Sequence, residues 1–240
     1  MLKKTLACAL VLVALVFGAI AMVYQGSFSS LPVKERLVAL TYDDGPNPPH
    51  TRALLDLLAS REVIATFFPK ARNAEAFSNE LLAVAAGGHE IGNHSYYHRP
   101  MTSLSTQAMF EEVEKANEVL TTLLGERPRL FRPPYGIQGY GLWRALKQLE
   151  MPSVLMNTHG ADWEPHSAQE IADRVLAGVQ PGTIILLHDG HGDVDDPYAQ
   201  DSRAATVEAT GLIIDALHTQ GYRFVSISEL MRVAGVTGQY

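Results

Sequence analysis

The sequence predicts an α/β fold built on a parallel sheet, either doubly wound or closed into a barrel. Three observations carry that expectation. From Arg36 onward, seven short strand-like stretches alternate with seven helical patterns, as in parallel sheets joined by crossover helices. Two of the strands, Leu37-Val38-Ala39-Leu40 and Ile184-Ile185-Leu186-Leu187, are apolar throughout, as strands covered on both faces are. The length of 240 residues is one at which α/β barrels form a single unit.

In chain order, Lys3 and Lys4 precede an apolar stretch from about Leu6 to Val23, with Ala19-Ile20-Ala21 as a small-residue cleavage pattern. This is the layout of an export signal, and the stretch is also near the length of a membrane span. Residues 1–24 are therefore expected to be a signal peptide or a membrane anchor. Either would place the domain outside the cytoplasm: periplasmic, cell-surface or secreted, with anchoring through residues 6–23 in the second case. Residues 25–35, small and polar with Pro32, read as a linker. The folded domain is expected over residues 36–233. Its strand candidates are 37–41, 65–68, 89–92, 130–131, 153–157, 183–187 and 223–226. Helix candidates are 51–59, 79–86, 105–124, 140–149, 168–179, 204–220 and 227–233. The third is the clearest, with Met109, Val113, Ala116, Leu120 and Leu123-Leu124 on one stripe. Residues 191–201, with four aspartates, read as an exposed acidic loop.

Composition narrows the function. The hydrophobic fraction of 47% is ample for a core. The net charge is −7, and leaving out Lys3 and Lys4 gives 17 basic against 26 acidic side chains, a net of −9. That argues against a nucleic-acid partner, which needs a basic surface. The single cysteine, Cys8, lies in the leader, so the domain has no disulfide framework and no thiolate metal site.

The first strand ends in Thr41-Tyr42-Asp43-Asp44-Gly45-Pro46. Adjacent carboxylates at the end of a buried strand repel each other and lose water, a cost that calls for a compensating cation or arginine. Alternation along the pleat predicts that the two side chains point to opposite sides. His94-Ser95-Tyr96-Tyr97-His98 places two imidazoles at i and i+4, one face of a short helical turn and a spacing that lets both meet one ion. Arg132-Pro133-Pro134-Tyr135-Gly136 holds an arginine on a backbone stiffened by two prolines. Asp162-Trp163 pairs an acid with a flat ring suited to stacking on a sugar. His188 ends the second fully apolar strand, and His89 reads as a core histidine. Read singly, each has a structural explanation. Together they fall just beyond the C-terminal ends of different strands, the edge at which parallel α/β folds build their sites. One carboxylate and two histidines also make a three-ligand set with coordination positions left open.

These stretches resemble, in order, the five motifs of the polysaccharide deacetylase (NodB homology) domain, carbohydrate esterase family 4; the fifth is Leu186-Leu187-His188. The resemblance covers nearly all of the exported part. It implies a distorted (β/α) barrel of about seven parallel strands, one divalent metal ion, and removal of acetyl groups from acetylated sugars. Zn²⁺ is the expected ion, with Co²⁺ or Ni²⁺ as alternatives. By resemblance Asp44, His94 and His98 are metal ligands. Asp43 is the general base, Arg132 fixes it and keeps its pKa low, and Asp162 holds Arg132. His188 is the general acid. Tyr135 supplies a backbone N–H to the oxyanion, Leu186 lines the acetyl pocket and Trp163 the sugar groove. Two positions depart from the pattern: His159 stands where an Asp usually opens the fourth motif, which bears on groove shape and substrate choice, and Tyr42 stands where Phe is common. The expected partner is an acetylated amino-sugar polymer or oligomer of a cell wall or extracellular matrix. The alternatives are an O-acetyl esterase on xylan-like polymers, a deacylase of a membrane lipid-linked sugar, and a non-catalytic carbohydrate-binding protein. A zinc peptidase is disfavoured by the lack of an H-E-x-x-H helix.

Overall fold

The computed structural model describes residues 26–192 and 203–236. The signal or anchor expected over residues 1–24, and most of the acidic loop, lie outside them. In chain order the elements are β1 (Ser27–Phe28), β2 (Leu37–Asp43), α1 (His50–Ser60), β3 (Thr66–Phe68), α2 (Ala71–Ala76), α3 (Ser78–Ala86), β4 (Glu90–Ile91), α4 (Thr106–Leu124), α5 (Tyr140–Gln148), β5 (Ser153–Val154), β6 (Thr158–His159), α6 (Ala168–Ala177), β7 (Ile184–His188), α7 (Ala204–Thr219), β8 (Arg223–Phe224) and α8 (Ile227–Val233). No helix of the described residues is long and apolar enough to cross a membrane.

β2 is the axis of the sheet and is buried at all seven positions. It pairs with β7 from Ala39↔Ile184 to Asp43↔His188, and with β3 from Thr41↔Thr66 to Asp43↔Phe68. Its first two residues pair with β8. The main ladder runs β4-β3-β2-β7-β6, and all these pairings are parallel. Two single parallel bridges, Asn93↔Phe131 and Phe131↔Ser153, carry the pairing from the β4 side to β5. The chain then continues from β5 into β6; among the described residues no pairing joins those two strands, so the sheet is not closed by a continuous ladder.

The strand period of two divides β2 between two environments. Val38, Leu40 and Tyr42 pack with Leu54 and Leu58 of α1, Ile171 and Val175 of α6, and Ile213 and Leu217 of α7, forming the helix-covered face. Leu37 and Ala39 pack inside with Phe68, Val154, Ile184, Ile227 and Leu230. Thr41 and Asp43 share that inner face, so it changes from apolar to polar along one strand, toward the C-terminal edge.

Some expected elements changed. Residues 130–131 form a single-residue bridge at Phe131 in place of a strand. β1, β6 and α2 were not anticipated. The two strands are two residues long and lack an apolar pattern, and α2 is six residues without an apolar stripe. The expected linker, 25–35, is tied down in part: β1 pairs with β5, and buried Leu31 donates its amide to the Gly182 carbonyl at 3.0 Å.

Gly182 has φ +83° and its Cβ position would lie 1.7 Å from the Leu31 oxygen. Gly182→Ala should therefore destabilise by about 2–3 kcal/mol through strain and the displaced segment. Thermal unfolding should show a midpoint lowered by roughly 5–10 °C; an unchanged midpoint would contradict the docking of residues 27–31.

Candidate active site

Asp43 closes β2 with its side chain facing inward. Asp44 has φ +74°, a left-handed conformation that Asp tolerates better than most residues. The expected opposite orientation is thereby overturned. His94 Nε2 lies 3.6 Å from Asp43 Oδ2 and 3.5 Å from Asp44 Oδ1, so one imidazole reaches both carboxylates.

The histidines also converge differently from the expected helical turn. Ser95 and His98 are both left-handed, φ +67° and +60°, and residues 94–98 form no helix. The turn is held from behind by Asn93, whose Oδ1 accepts from the Ser95 amide at 2.7 Å. Its Nδ2 donates to Val113 O and Asn117 Oδ1 of α4. The Ser95 hydroxyl accepts from the His98 amide. His94 Nδ1 lies 2.7 Å from the Arg132 carbonyl, which selects the tautomer with a lone pair on Nε2. Burial, followed by the neighbouring His98, holds the His94 pKa well below its ordinary value, so the ring is neutral, as a metal ligand must be.

Asp44, His94 and His98 are buried and offer ligand atoms that all lie within 4.8 Å of one another. Asp44 Oδ1 is 3.5 Å from each Nε2 and has no hydrogen-bond partner among the described residues. A tetrahedral site with Zn–N and Zn–O bonds of about 2.0–2.1 Å has edges of about 3.3–3.4 Å, so the spacing fits a divalent ion. The donor set of one carboxylate and two imidazoles fits as well.

Asp43 is compensated by an arginine. Arg132 is fully buried and donates from Nη1 to Asp43 Oδ1 at 2.8 Å and to Thr41 Oγ1 at 2.7 Å. Its Nε and Nη2 donate to the carbonyls of Val154 and Leu155, and its guanidinium lies over the Phe68 ring. The expectation that Arg132 keeps the Asp43 pKa low is corrected: burial pushes it above the ordinary carboxylate value, with Arg132 and then His188 opposing.

The expected role of Asp162 also changes. It pairs with His188, and none of Arg132's hydrogen bonds goes to it. Asp162 Oδ1 accepts from His188 Nδ1 at 2.8 Å, and Oδ2 accepts from the His188 amide at 2.8 Å and the Thr206 hydroxyl at 3.0 Å. Arg132 gives four of its five N–H groups to Thr41, Asp43 and two carbonyls. Burial works to lower the His188 pKa, but the Asp162 carboxylate, with Asp44 and Asp43 adding, raises it to about 9. Burial works to raise that of Asp162, and His188 and Arg203 leave it lowered.

Tyr135 and Trp163 are half exposed on either side. The Tyr135 ring is 4.6 Å from that of His98, and its backbone is left-handed, φ +59°. The Trp163 ring meets His188 edge-on at 5.5 Å and His159 at 5.0 Å. Leu186 is buried on β7 opposite Thr41.

A second set of residues was missed from the sequence. Buried Arg203 donates to the Gly190 carbonyl at 2.8 Å and the Asp162 carbonyl at 2.7 Å, and its Nη2 is 3.0 Å from His191 Nδ1. Lys70 donates to the His191 carbonyl, and Asn73 to the Asp44 carbonyl. At Gly192 a Cβ would lie 2.6 Å from His98 Cε1, so the backbone lies close against the ligand set. An isolated arginine and an isolated lysine carry no motif, so no local signal pointed to them.

Fold and site together define a metal-assisted hydrolase on a parallel α/β scaffold. Residues 30–154 match the model of the family described as polysaccharide deacetylase, and the chain belongs to that family. It is 33% identical over 204 residues to a peptidoglycan-N-acetylglucosamine deacetylase of Bacillus cereus, covering 84% of this chain and 91% of the relative. It is 32% identical over 216 residues to a chitooligosaccharide deacetylase of Rhizobium leguminosarum bv. trifolii, covering 87% and 98%. The crystal structure of the Bc1960 peptidoglycan N-acetylglucosamine deacetylase superposes with a TM-score of 0.77 at 34% identity, over 85% of this chain and 92% of that one.

The Asp162–His188 pair makes a titration testable. Because the folded His188 pKa lies above its unfolded value of about 6.5, its contribution to stability is complete below about 6.5. It is lost as pH rises through about 9. Asp162→Asn should lower the His188 pKa from about 9 in an NMR titration, because both the charge and the hydrogen bond of Asp162 that raise it are removed; a ring still titrating near 9 would refute the pairing.

Proposed function

We propose that the chain hydrolyses the N-acetyl groups of amino-sugar units in a polymer or oligomer outside the cytoplasmic membrane. The observation that carries this is the convergence of the Asp44–His94–His98 set with two differently charged groups, Asp43 and His188. When bound at that set, a divalent ion, with Zn²⁺ expected and Co²⁺ or Ni²⁺ as alternatives, supplies Lewis acidity and lowers the pKa of water. Asp43, held by Arg132 and Thr41, accepts the proton of the attacking water. The Tyr135 backbone N–H donates to the oxyanion that forms on the acetyl carbon. His188, kept protonated and oriented by Asp162, delivers a proton to the amide nitrogen as the C–N bond breaks, releasing acetate and the free amine. Leu186 lines the methyl pocket, and Trp163 stacks on the sugar ring beside His159.

A protonated His188 favours an amide over an ester, because an amine cannot leave as an anion whereas an alkoxide can. The leader pattern of residues 1–24, as signal or anchor, and the peptidoglycan and chitooligosaccharide substrates named for the relatives support the extracytoplasmic location and an amino-sugar substrate.

Metal analysis and acetate release on one preparation test the assignment. Asp43→Asn should retain metal and lose at least about 10²-fold in kcat, whereas His94→Ala should lose metal. Near wild-type turnover by Asp43→Asn would remove Asp43 as base. His188→Ala should lose about tenfold more on N-acetyl than on O-acetyl substrates of the same sugar. Equal losses on both would remove His188 as the acid.

A further inference from the structure

We propose a second binding site on the rim of the active site: an anion subsite built by Arg99 and Lys115 around Tyr97, with Arg72 beside them, for a carboxylate or phosphate carried by the glycan. The site rests on the proposed function, since it reads a neighbouring unit of the polymer whose acetyl group is removed.

The turn that carries His94 and His98 also carries Tyr96 and Tyr97 between them. The two rings meet edge to face at 4.5 Å. Lys115 Nζ lies 3.5 Å from the Tyr96 ring centre and 4.7 Å from that of Tyr97, and 3.4 Å from the Tyr97 hydroxyl. The Arg99 guanidinium lies 4.6 Å from the Tyr97 ring and that of Arg72 5.8 Å. Three cations thus share one aromatic ring on a chain whose net charge is −7. Each cation–π contact is favourable, but like charges this close repel one another.

Local carboxylates leave Arg99 and Lys115 uncompensated. Among the described residues neither forms an ion pair with a carboxylate, and both side chains are exposed. The two acids that touch the tyrosines are engaged elsewhere. Glu75 accepts from the Tyr96 hydroxyl at 2.6 Å, and buried Glu112 accepts from the Tyr97 amide at 2.6 Å. An incoming anion relieves the repulsion, and the position suits one delivered by the substrate. Arg72 follows β3 and Arg99 follows β4, both on the C-terminal edge where the site opens, and Arg99 is the residue after His98. On this proposal the chain neighbour of a sugar held at the metal set lies over this patch.

Three tetramers of N-acetylglucosamine test the subsite: one carrying a carboxymethyl ether on alternate sugars, its neutral methyl ester, and one carrying a phosphate ester at the same position. On the zinc-loaded full chain, kcat/KM for the acid should exceed that for the ester about tenfold at about 20 mM NaCl, and the preference should shrink severalfold at about 300 mM. Arg99→Gln/Lys115→Gln should lower kcat/KM on the acid at least fivefold more than on the ester. Equal kcat/KM on acid and ester in the wild type, or equal losses in the variant, would overturn the subsite. A higher rate on the phosphate than on the carboxylate would support it and identify phosphate as the anion. Dissociation constants of acid and ester on zinc-loaded Asp43→Asn protein give a readout apart from turnover. If no acetate is released from any tetramer, the hydrolase reading falls, while a preference for the acid in binding, lost in the added double substitution, upholds the subsite and its absence refutes it.

Discussion

A single oxygen atom sets the terms for this site. Asp44 Oδ1 is buried 3.5 Å from two imidazole nitrogens and receives no hydrogen bond from the described residues. An ionised oxygen in that position is costly to hold without a cation. At least one of the two rings is neutral, since burial holds His94 well below its ordinary pKa. The arrangement suits a divalent cation, and the fold around it keeps three donor atoms at that spacing.

The neighbouring carboxylate is handled by other means. Asp43 shares the inner face of β2 with Leu37 and Ala39, but it faces a buried guanidinium where they face aliphatic side chains. Arg132 in turn uses four acceptors from two parts of the chain, the end of β2 and the end of β5, so its charge is fixed in place. On the opposite side, Asp162 raises His188 to about 9. Two carboxylates thus sit in opposite settings: Asp43 is held by a guanidinium, while Asp162 keeps a proton on its partner. That division follows from which cation each one touches.

The supporting layer is built from backbone contacts. Arg203 ties the carbonyls of Asp162 and Gly190, and Lys70 ties that of His191. The strand end carrying His188 is thereby joined to the loop that lies against His98 at Gly192. Asn93 does the same for the histidine turn by reaching into α4. A constellation drawn from four strand ends and the Phe131 bridge needs such ties, because displacements well below an ångström change the geometry of a site.

Read alone, the sequence determined the α/β class, the long elements and the identity of the converging side chains. β2, β7 and α4 are legible because a continuous apolar run or a 3.6-residue stripe is a local signal. The polar residues at strand ends are legible because chemistry of that kind is out of place beside a buried core. Only the tertiary structure decided which charge answers which. Asp162 took His188 and left Arg132 to Asp43, Asp44 turned left-handed to stand beside Asp43, and residues 27–31 docked onto the domain. Hydrogen bonds, close approaches and burial join residues far apart in the chain, and local pattern does not encode those distances.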